Sequence, residues 1–182
     1  QLISAAGEPD FGGVHRFTAL VNREKAAATG FGKGVIMLSS GDNFLAGPEF
    51  NASLNRKGQF EDQYYDAQAM DLIGYDAVCI GNHDFDFGPE VLSKFIKTYT
   101  LTTPPYLSAN LDYSGDQFMD ALAKAQRVLP YSIITENGEK IGIIGLTTPN
   151  LNFISSPGKV GVNKNIEQVV ANYVDTLHGK GV

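Results

Sequence analysis

Two short apolar runs, each followed by a glycine and a cluster of polar residues, constrain the fold of this chain most strongly. Residues 35–38 read Val-Ile-Met-Leu and residues 77–80 read Ala-Val-Cys-Ile. Continuous apolar runs of this length are typical of strands buried on both faces of a parallel sheet. Segments with helical periodicity separate them, and strands that alternate with helices indicate an α/β fold. We therefore predict an α/β domain whose sheet is mostly parallel.

Helices are predicted wherever apolar residues recur at spacings of three and four. Two further segments are assigned to strands. Residues 106–111 form a short apolar run, and the region near residues 128–146 has two apolar runs around Asn137-Gly138, a strong signal for an antiparallel hairpin. The predicted helices cover residues 14–28, 61–73 (closed by Gly74), a segment begun by Pro89 with Val91, Leu92, Phe95 and Ile96 as its apolar face, 117–126, and a last helix with Ile166, Val169, Val170, Tyr173, Val174 and Leu177 on one face.

Composition limits the classes of partner. The chain has 182 residues and a net charge of −6, which argues against a nucleic-acid backbone or an anionic membrane because like charges repel. A phosphate-bearing substrate would meet the same field, so bound metal ions are expected to supply positive charge locally. Cys79 is the only cysteine, which excludes an intrachain disulfide and suggests a buried small side chain. No apolar stretch is long enough to predict a membrane span.

Polar side chains follow both apolar runs at the points where the strands are expected to end. Asp42 follows the first strand, and Asn82, His83, Asp84 and Asp86 follow the second. In open α/β sheets ligands bind at the carboxyl ends of the strands, and carboxylate, amide and imidazole groups suit Mn, Mg, Zn or Fe. Strand-end Asp and Asn residues also cap turns. The spacing alone leaves a metal site and simple turn capping both open.

Several stretches of the chain resemble the calcineurin-like metallophosphoesterases, in particular their 5′-nucleotidase and 2′,3′-cyclic-nucleotide phosphodiesterase branch. The resemblance depends mainly on Gly41-Asp42 and on residues 81–88, Gly-Asn-His-Asp-Phe-Asp-Phe-Gly. Gly12-Gly13 with Arg16, residues 107–110 and residues 142–149 are also similar to that branch. The resemblance runs over nearly the whole chain. It implies that the α/β fold is part of the βαβ sandwich of that family.

The resemblance implies a role for each matching residue. Asp42 would be the carboxylate that bridges two divalent ions (Mn, Zn, Mg or Fe), and Asn82 would be a ligand of the second ion. His83 would stabilise the transition state or protonate the leaving alkoxide, with Asp86 orienting it and raising its pKa. Asp84 is expected to have a supporting role only.

The resemblance also implies that functional parts lie outside this chain. Relatives have an Asp-x-His motif earlier in their sequences, further histidine ligands later, and a separate domain that binds the nucleoside. We therefore expect residues 1–182 to be the N-terminal part of the catalytic domain, truncated at both ends, with weak or absent metal binding on its own. His15 and His178 are expected to be surface residues rather than replacement ligands.

The expected function is hydrolysis of a nucleotide or another small phosphate ester by a two-metal mechanism in the full-length protein. Hydrolysis of 2′,3′-cyclic nucleotides or of UDP-sugars is the alternative chemistry on this scaffold, and a third possibility is that the fragment alone is a non-catalytic folded piece. The family implies a periplasmic or secreted location, and the oligomeric state is open. Phe44, Phe85 and Phe87 are expected at the mouth of the site.

Overall fold

The computed structural model describes residues 12–55, 63–99 and 101–182. Within them the helices and strands alternate along much of the chain, as an α/β fold requires. The strands are β1 (Leu38–Ser39), β2 (Ala77–Cys79), β3 (Tyr106–Leu107), β4 (Leu111–Asp112), β5 (Val128–Leu129), β6 (Tyr131–Glu136), β7 (Glu139–Ile144) and β8 (Gly161–Val162). The helices are α1 (Val14–Gly30), α2 (Pro48–Leu54), α3 (Tyr65–Ile73), α4 (Gly88–Lys97), α5 (Gln117–Lys124), α6 (Leu151–Ile154) and α7 (Ile166–His178).

A four-stranded parallel sheet forms the centre of the fold, with the strand order β1-β2-β3-β5. Leu38 pairs with Ala77, and Val78 pairs with Tyr106, so β1, β2 and β3 all end at the same edge of the sheet. Strands β4 and β8 pair antiparallel, as do β6 and β7. The predicted α/β class with a mostly parallel sheet is confirmed.

The hairpin predicted near residues 128–146 is confirmed in β6 and β7. Asn137 (φ 50°) and Gly138 (φ 83°) both have positive φ, the geometry of the two-residue turn that Asn-Gly sequences favour. Val128 and Leu129 do not belong to the hairpin. They form β5, which pairs with β3, and Pro130 separates it from β6.

The predictions for two strands are wrong in detail. Of residues 35–38 only Leu38 lies in a strand, and it is 48% exposed because β1 is the edge strand of the described sheet. The predicted strand over residues 106–111 is divided between β3 and β4, which belong to different sheets. The backbone N–H of Ser108 still bonds to Leu129 of β5, but that of Ala109 bonds to Gly145 instead, and the side chains of Ser108 and Asn110 bond to Thr147 where the chain turns.

The predicted helices are confirmed with small changes at their ends. Helix α3 begins at Tyr65 rather than at residue 61, while residues 61 and 62 lie outside the described part of the chain. Gly74 ends α3 in the left-handed conformation, and Pro89 lies in the first turn of α4. Helix α2 was not predicted, although Pro48 at its first position is a typical start signal.

The core is rich in aromatic rings. Phe44 and Phe50 stack with centroids 4.2 Å apart, and Phe95 packs against both. Phe85 is fully buried, so the prediction that it lines the mouth of the site is wrong, whereas Phe44, although only 3% exposed, lines a cavity beside Asp42. Large aromatic rings contribute most to stability when they are removed from water, and both of these rings are buried in the hydrophobic core. Phe87 is partly buried and packs on Phe50.

Candidate active site

The loops that follow β1 and β2 touch through their glycines. Gly41 has φ of 103°, and a Cβ atom placed on it would lie 2.7 Å from the backbone nitrogen of Gly81. A Cβ atom on Gly81 would overlap the carboxylate of Asp42. Only glycine at both positions allows this approach. It brings the two predicted clusters together at the carboxyl edge of the sheet.

Asp42 is anchored to the second cluster by its side chain. It has the positive φ of 55°, which is uncommon for a residue other than glycine, and its Oδ1 accepts a hydrogen bond from the backbone N–H of His83 at 3.0 Å. Asn82 precedes that N–H directly and is partly buried. The structure therefore places Asp42 and Asn82, the two predicted metal ligands, beside one another. Asp42 remains exposed and open to a ligand.

The buried carboxylate of Asp84 joins the two loops. Its oxygens accept hydrogen bonds from the backbone N–H of Gly81 (2.7 Å) and from the backbone N–H of Asn43 (2.9 Å), and also from the Asn43 side-chain amide. Burial raises the pKa of Asp84 to about 7, and these N–H groups oppose the increase. Sequence reasoning gave Asp84 only a supporting role and did not identify Asn43, which carried no signal beyond its position after Asp42.

His83 and Asp86 form the predicted pair. Nδ1 of His83 lies 2.7 Å from Oδ2 of Asp86, and the side chains are 44% and 24% exposed. The hydrogen bond to Asp86 raises the pKa of His83 above its ordinary value, and it outweighs the opposite effect of desolvation. The other oxygen of Asp86, Oδ1, accepts a hydrogen bond of 2.9 Å from the hydroxyl of Ser155. Ser155 was not predicted, because nothing in a polar loop near Pro157 distinguishes it from other serines.

A buried polar network fixes the end of β2, from which residues 81–86 depart. The Thr147 hydroxyl donates to the carbonyl oxygen of Ile80 at 2.6 Å, and Ser108 lies 2.8 Å from the same hydroxyl. Asn110 accepts from the Thr147 N–H and donates to its carbonyl oxygen, both at 2.8 Å. Ser108, Asn110 and Thr147 belong to the stretches that resemble the family in sequence. Here they have a structural purpose, since buried polar groups in a satisfied network hold one geometry.

A cavity of about 570 Å³ opens on the Asp42 side of this arrangement, between α1 and α3. Its lining is mainly apolar, with Phe17, Leu20 and Met70, and it includes the charged side chains of Arg16 and Asp66. A small ligand that contacts Asp42 would therefore have space beside the sheet edge.

The described residues supply only part of a metal centre. Within residues 12–55, 63–99 and 101–182, no group of three or more His, Cys, Asp or Glu side chains is arranged to hold an ion. The carboxylate of Asp42 and the amide oxygen of Asn82 are donors of the type that divalent ions prefer, and they suit an ion that takes its other ligands elsewhere. His15 on α1 and His178 at the end of α7 are both exposed, as predicted for surface residues.

Comparison with known proteins agrees with the predicted family and fold. No protein-family model matches the chain. A 5′-nucleotidase from Diplobatis ommata is 32% identical over 151 residues, which cover 82% of this chain and 24% of that protein. The crystal structure of a 5′-nucleotidase precursor from Thermus thermophilus superimposes with a TM-score of 0.76 at 34% identity, over 94% of this chain and 30% of the other. The chain thus spans less than a third of the length of these two relatives.

A more distant structure shares the fold. The calcineurin-like phosphoesterase YfkN from Bacillus subtilis superimposes with a TM-score of 0.69 at 17% identity, over the whole of this chain and 55% of that one.

The described helices include none that is long and apolar enough to cross a lipid bilayer.

Proposed function

We infer that this chain belongs to the 5′-nucleotidase family of calcineurin-like phosphoesterases and that the protein carrying it hydrolyses phosphate esters of nucleotides. The observation that supports this function best is the His83–Asp86 pair, held at 2.7 Å next to the anchored carboxylate of Asp42. A proton donor and an oxygen ligand thus lie close together. Hydrolysis of a phosphate ester needs both, one for the leaving group and one for the phosphoryl group.

His83 supplies the proton for the leaving group. Nδ1 of His83 is hydrogen-bonded to Asp86, so Nε2 is the ring nitrogen available to a substrate oxygen. When water attacks phosphorus and the ester P–O bond breaks, the proton on Nε2 of the imidazolium passes to the departing alkoxide. The ring becomes neutral and keeps its Nδ1 proton against Asp86, which also fixes the orientation of the ring.

Asp42 and Asn82 contribute two of the oxygen ligands of a divalent metal centre. Two such ions, when bound, would provide a water nucleophile at neutral pH and positive charge for the phosphoryl oxygens. Asp42 is prepared for this role because its backbone conformation and the N–H of His83 fix its carboxylate. Positive charge at this point would also offset the net charge of −6, which otherwise repels a nucleotide.

The 182-residue chain is proposed to be inactive by itself. The described residues hold two of the proposed ligands, whereas metal affinity depends on a complete ligand set. A periplasmic or secreted location is also proposed, from the family resemblance alone.

The test is release of phosphate from AMP by the protein that carries this chain, in the presence of Mn²⁺. We expect His83→Ala and Asp42→Ala each to lower kcat by at least about 100-fold, because each removes a group that acts on the transition state. His15→Ala is the matched control on the exposed face of α1 and should leave the rate unchanged. Full activity of Asp42→Ala would contradict the proposed ligand.

Parallel assays with 2′,3′-cyclic AMP and with UDP-glucose separate the monoester function from its two alternatives. Preference for either of these substrates over AMP would replace the 5′-nucleotidase activity with a cyclic phosphodiesterase or a sugar-nucleotide hydrolase.

A further inference from the structure

We propose that Ser155 is a positioning residue for the reaction, because its hydroxyl holds the Asp86 carboxylate in the orientation that directs the ring of His83. This inference rests on the proposed function, since it concerns the same site. It concerns a side chain from a distant part of the sequence, 69 residues beyond Asp86.

The two oxygens of Asp86 have separate partners. Oδ2 faces Nδ1 of His83 at 2.7 Å, and Oδ1 accepts the Ser155 hydroxyl at 2.9 Å. A carboxylate bonded through one oxygen can still rotate about its Cβ–Cγ bond. A second bond, to the other oxygen, removes that freedom and fixes the plane of the carboxylate. The ring of His83 is thereby aligned through Asp86.

His83 needs such alignment because its ring is only partly enclosed by the described residues. Its side chain is 44% exposed, so packing against neighbours restricts the ring only weakly. A half-exposed imidazole paired with a freely rotating carboxylate would sample several ring orientations, and only some direct Nε2 towards a substrate. Ser155 limits this motion without touching the ring itself.

Ser155 is itself held from both sides. Its backbone N–H bonds to the carbonyl oxygen of Leu151, whose side chain is fully buried in the core. On the other side Pro157 is buried, and Gly158 (φ 62°) lies so close to Pro89 that an added Cβ would be 3.0 Å from its Cγ. The hydroxyl is therefore presented by a fixed segment, as a positioning residue requires.

The most direct test compares two variants of Ser155 that have nearly equal side-chain volume and differ in whether they carry a hydroxyl group. Ser155→Thr keeps the hydroxyl and Ser155→Val replaces it with a methyl group; Ser156→Ala is the control on the neighbouring exposed serine. In the AMP assay we expect Ser155→Val to lower kcat roughly tenfold or more, the effect of losing a hydrogen bond to a charged group. KM should stay within about twofold, because Ser155 is not assigned to substrate binding. Ser155→Thr should recover most of the loss.

Nitrogen-detected NMR of His83 in the 182-residue chain gives a readout that does not depend on activity. The chain has three histidines, so His83→Gln identifies the signals of His83. In the wild type and in Ser155→Thr we expect one sharp Nδ1–H resonance, protected by Asp86. In Ser155→Val this resonance should broaden through exchange with water, while the signals of His15 and His178 stay unchanged.

The outcomes separate this inference from the proposed function. A wild-type protein that hydrolyses none of the three substrates would overturn the proposed function, and the NMR comparison would still decide whether Ser155 orders the pair. Equal kcat values for Ser155→Val and Ser156→Ala, or an unchanged Nδ1–H resonance in Ser155→Val, would overturn the positioning role. A higher KM with unchanged kcat in Ser155→Val would also overturn the positioning role, because it would mean that Ser155 acts in substrate binding.

Discussion

Asp84 accepts hydrogen bonds from both the backbone and the side chain of Asn43, so one buried carboxylate fastens the loop after β1 to the loop after β2. Gly81 adds a third N–H donor at 2.7 Å. Asp84 is completely buried, and the carbonyl oxygen of Cys79 accepts a further bond from the Asn43 amide. The relative position of Asp42 and His83 therefore depends on a residue that has no proposed role in the chemistry.

Replacing Asp84 with alanine should lower the free energy of unfolding by about 3 kcal/mol or more, because it leaves the partly buried N–H groups of Gly81 and Asn43 without their acceptor. Urea denaturation of the chain measures the change. Asp175→Ala, on the exposed face of α7, is the control and should stay within about 0.5 kcal/mol of the wild type. Equal stability of the two variants would show that Asp84 does not fasten the loops.

Replacing Gly81 with alanine should also destabilise the chain, by about 2 kcal/mol or more. The new Cβ would overlap the Asp42 carboxylate, and a fixed backbone cannot relieve the overlap cheaply. The matched variant is Gly30→Ala at the end of α1, where an added Cβ meets no atom within 4 Å. That change should be neutral or stabilise by up to about 1 kcal/mol, since alanine restricts the unfolded chain. Thermal unfolding of both variants checks the difference, and a Gly81→Ala midpoint equal to that of Gly30→Ala would contradict the backbone contact.

Sequence patterns predicted the helices and the parallel sheet well because those depend on local periodicity and on burial. Helix α4 shows this clearly: Leu92, Phe95 and Ile96 were assigned to its apolar face, and all three are fully buried. The edge position of β1 was not predictable, since a run of apolar residues does not reveal how many neighbours its strand has. The exposure of Leu38 follows from that position.

The candidate site divides in a similar way. Asp42, Asn82, His83 and Asp86 could be named from the sequence because they lie within two short segments that resemble a known family. Asn43 and Ser155 could not, because their importance comes from long-range hydrogen bonds to Asp84 and Asp86. Serine and asparagine are common loop residues, so their types carry little information without the structure.

Cys79 should react slowly with thiol reagents, and its reaction should need a higher pH than that of an ordinary cysteine. Burial raises the pKa of the Cys79 thiol, and Sγ lies 3.4 Å from the carbonyl oxygen of Leu146. A raised pKa means that the thiolate, the reactive form, is scarcer in the folded chain than in the unfolded chain at any pH below the folded pKa. The expected rate with a disulfide reagent at pH 8 is at least about tenfold lower in the folded chain than in urea.

The control for Cys79 is the pH dependence itself. The rate in the folded chain should reach half of its maximum at a higher pH than the rate in urea. Identical midpoints and rates in both states would mean that Cys79 is freely accessible.

The 182-residue chain should bind Mn²⁺ no more tightly than about 1 mM, the weak end of the range for protein sites with oxygen ligands. One oxygen of Asp42 already accepts the His83 N–H, and Asn82 adds a single neutral oxygen, so the described residues offer far fewer donors than the roughly six that such an ion takes. Because ligands that bind only the folded state stabilise it, addition of EDTA should leave the midpoint of thermal unfolding unchanged. Calorimetric titration measures the affinity directly, with Asp42→Asn as the matched control that removes the charge while keeping the shape. Micromolar binding in the wild type that is lost in Asp42→Asn would show that this chain holds a metal site of its own, and the proposed inactivity of the isolated chain would then have to be abandoned.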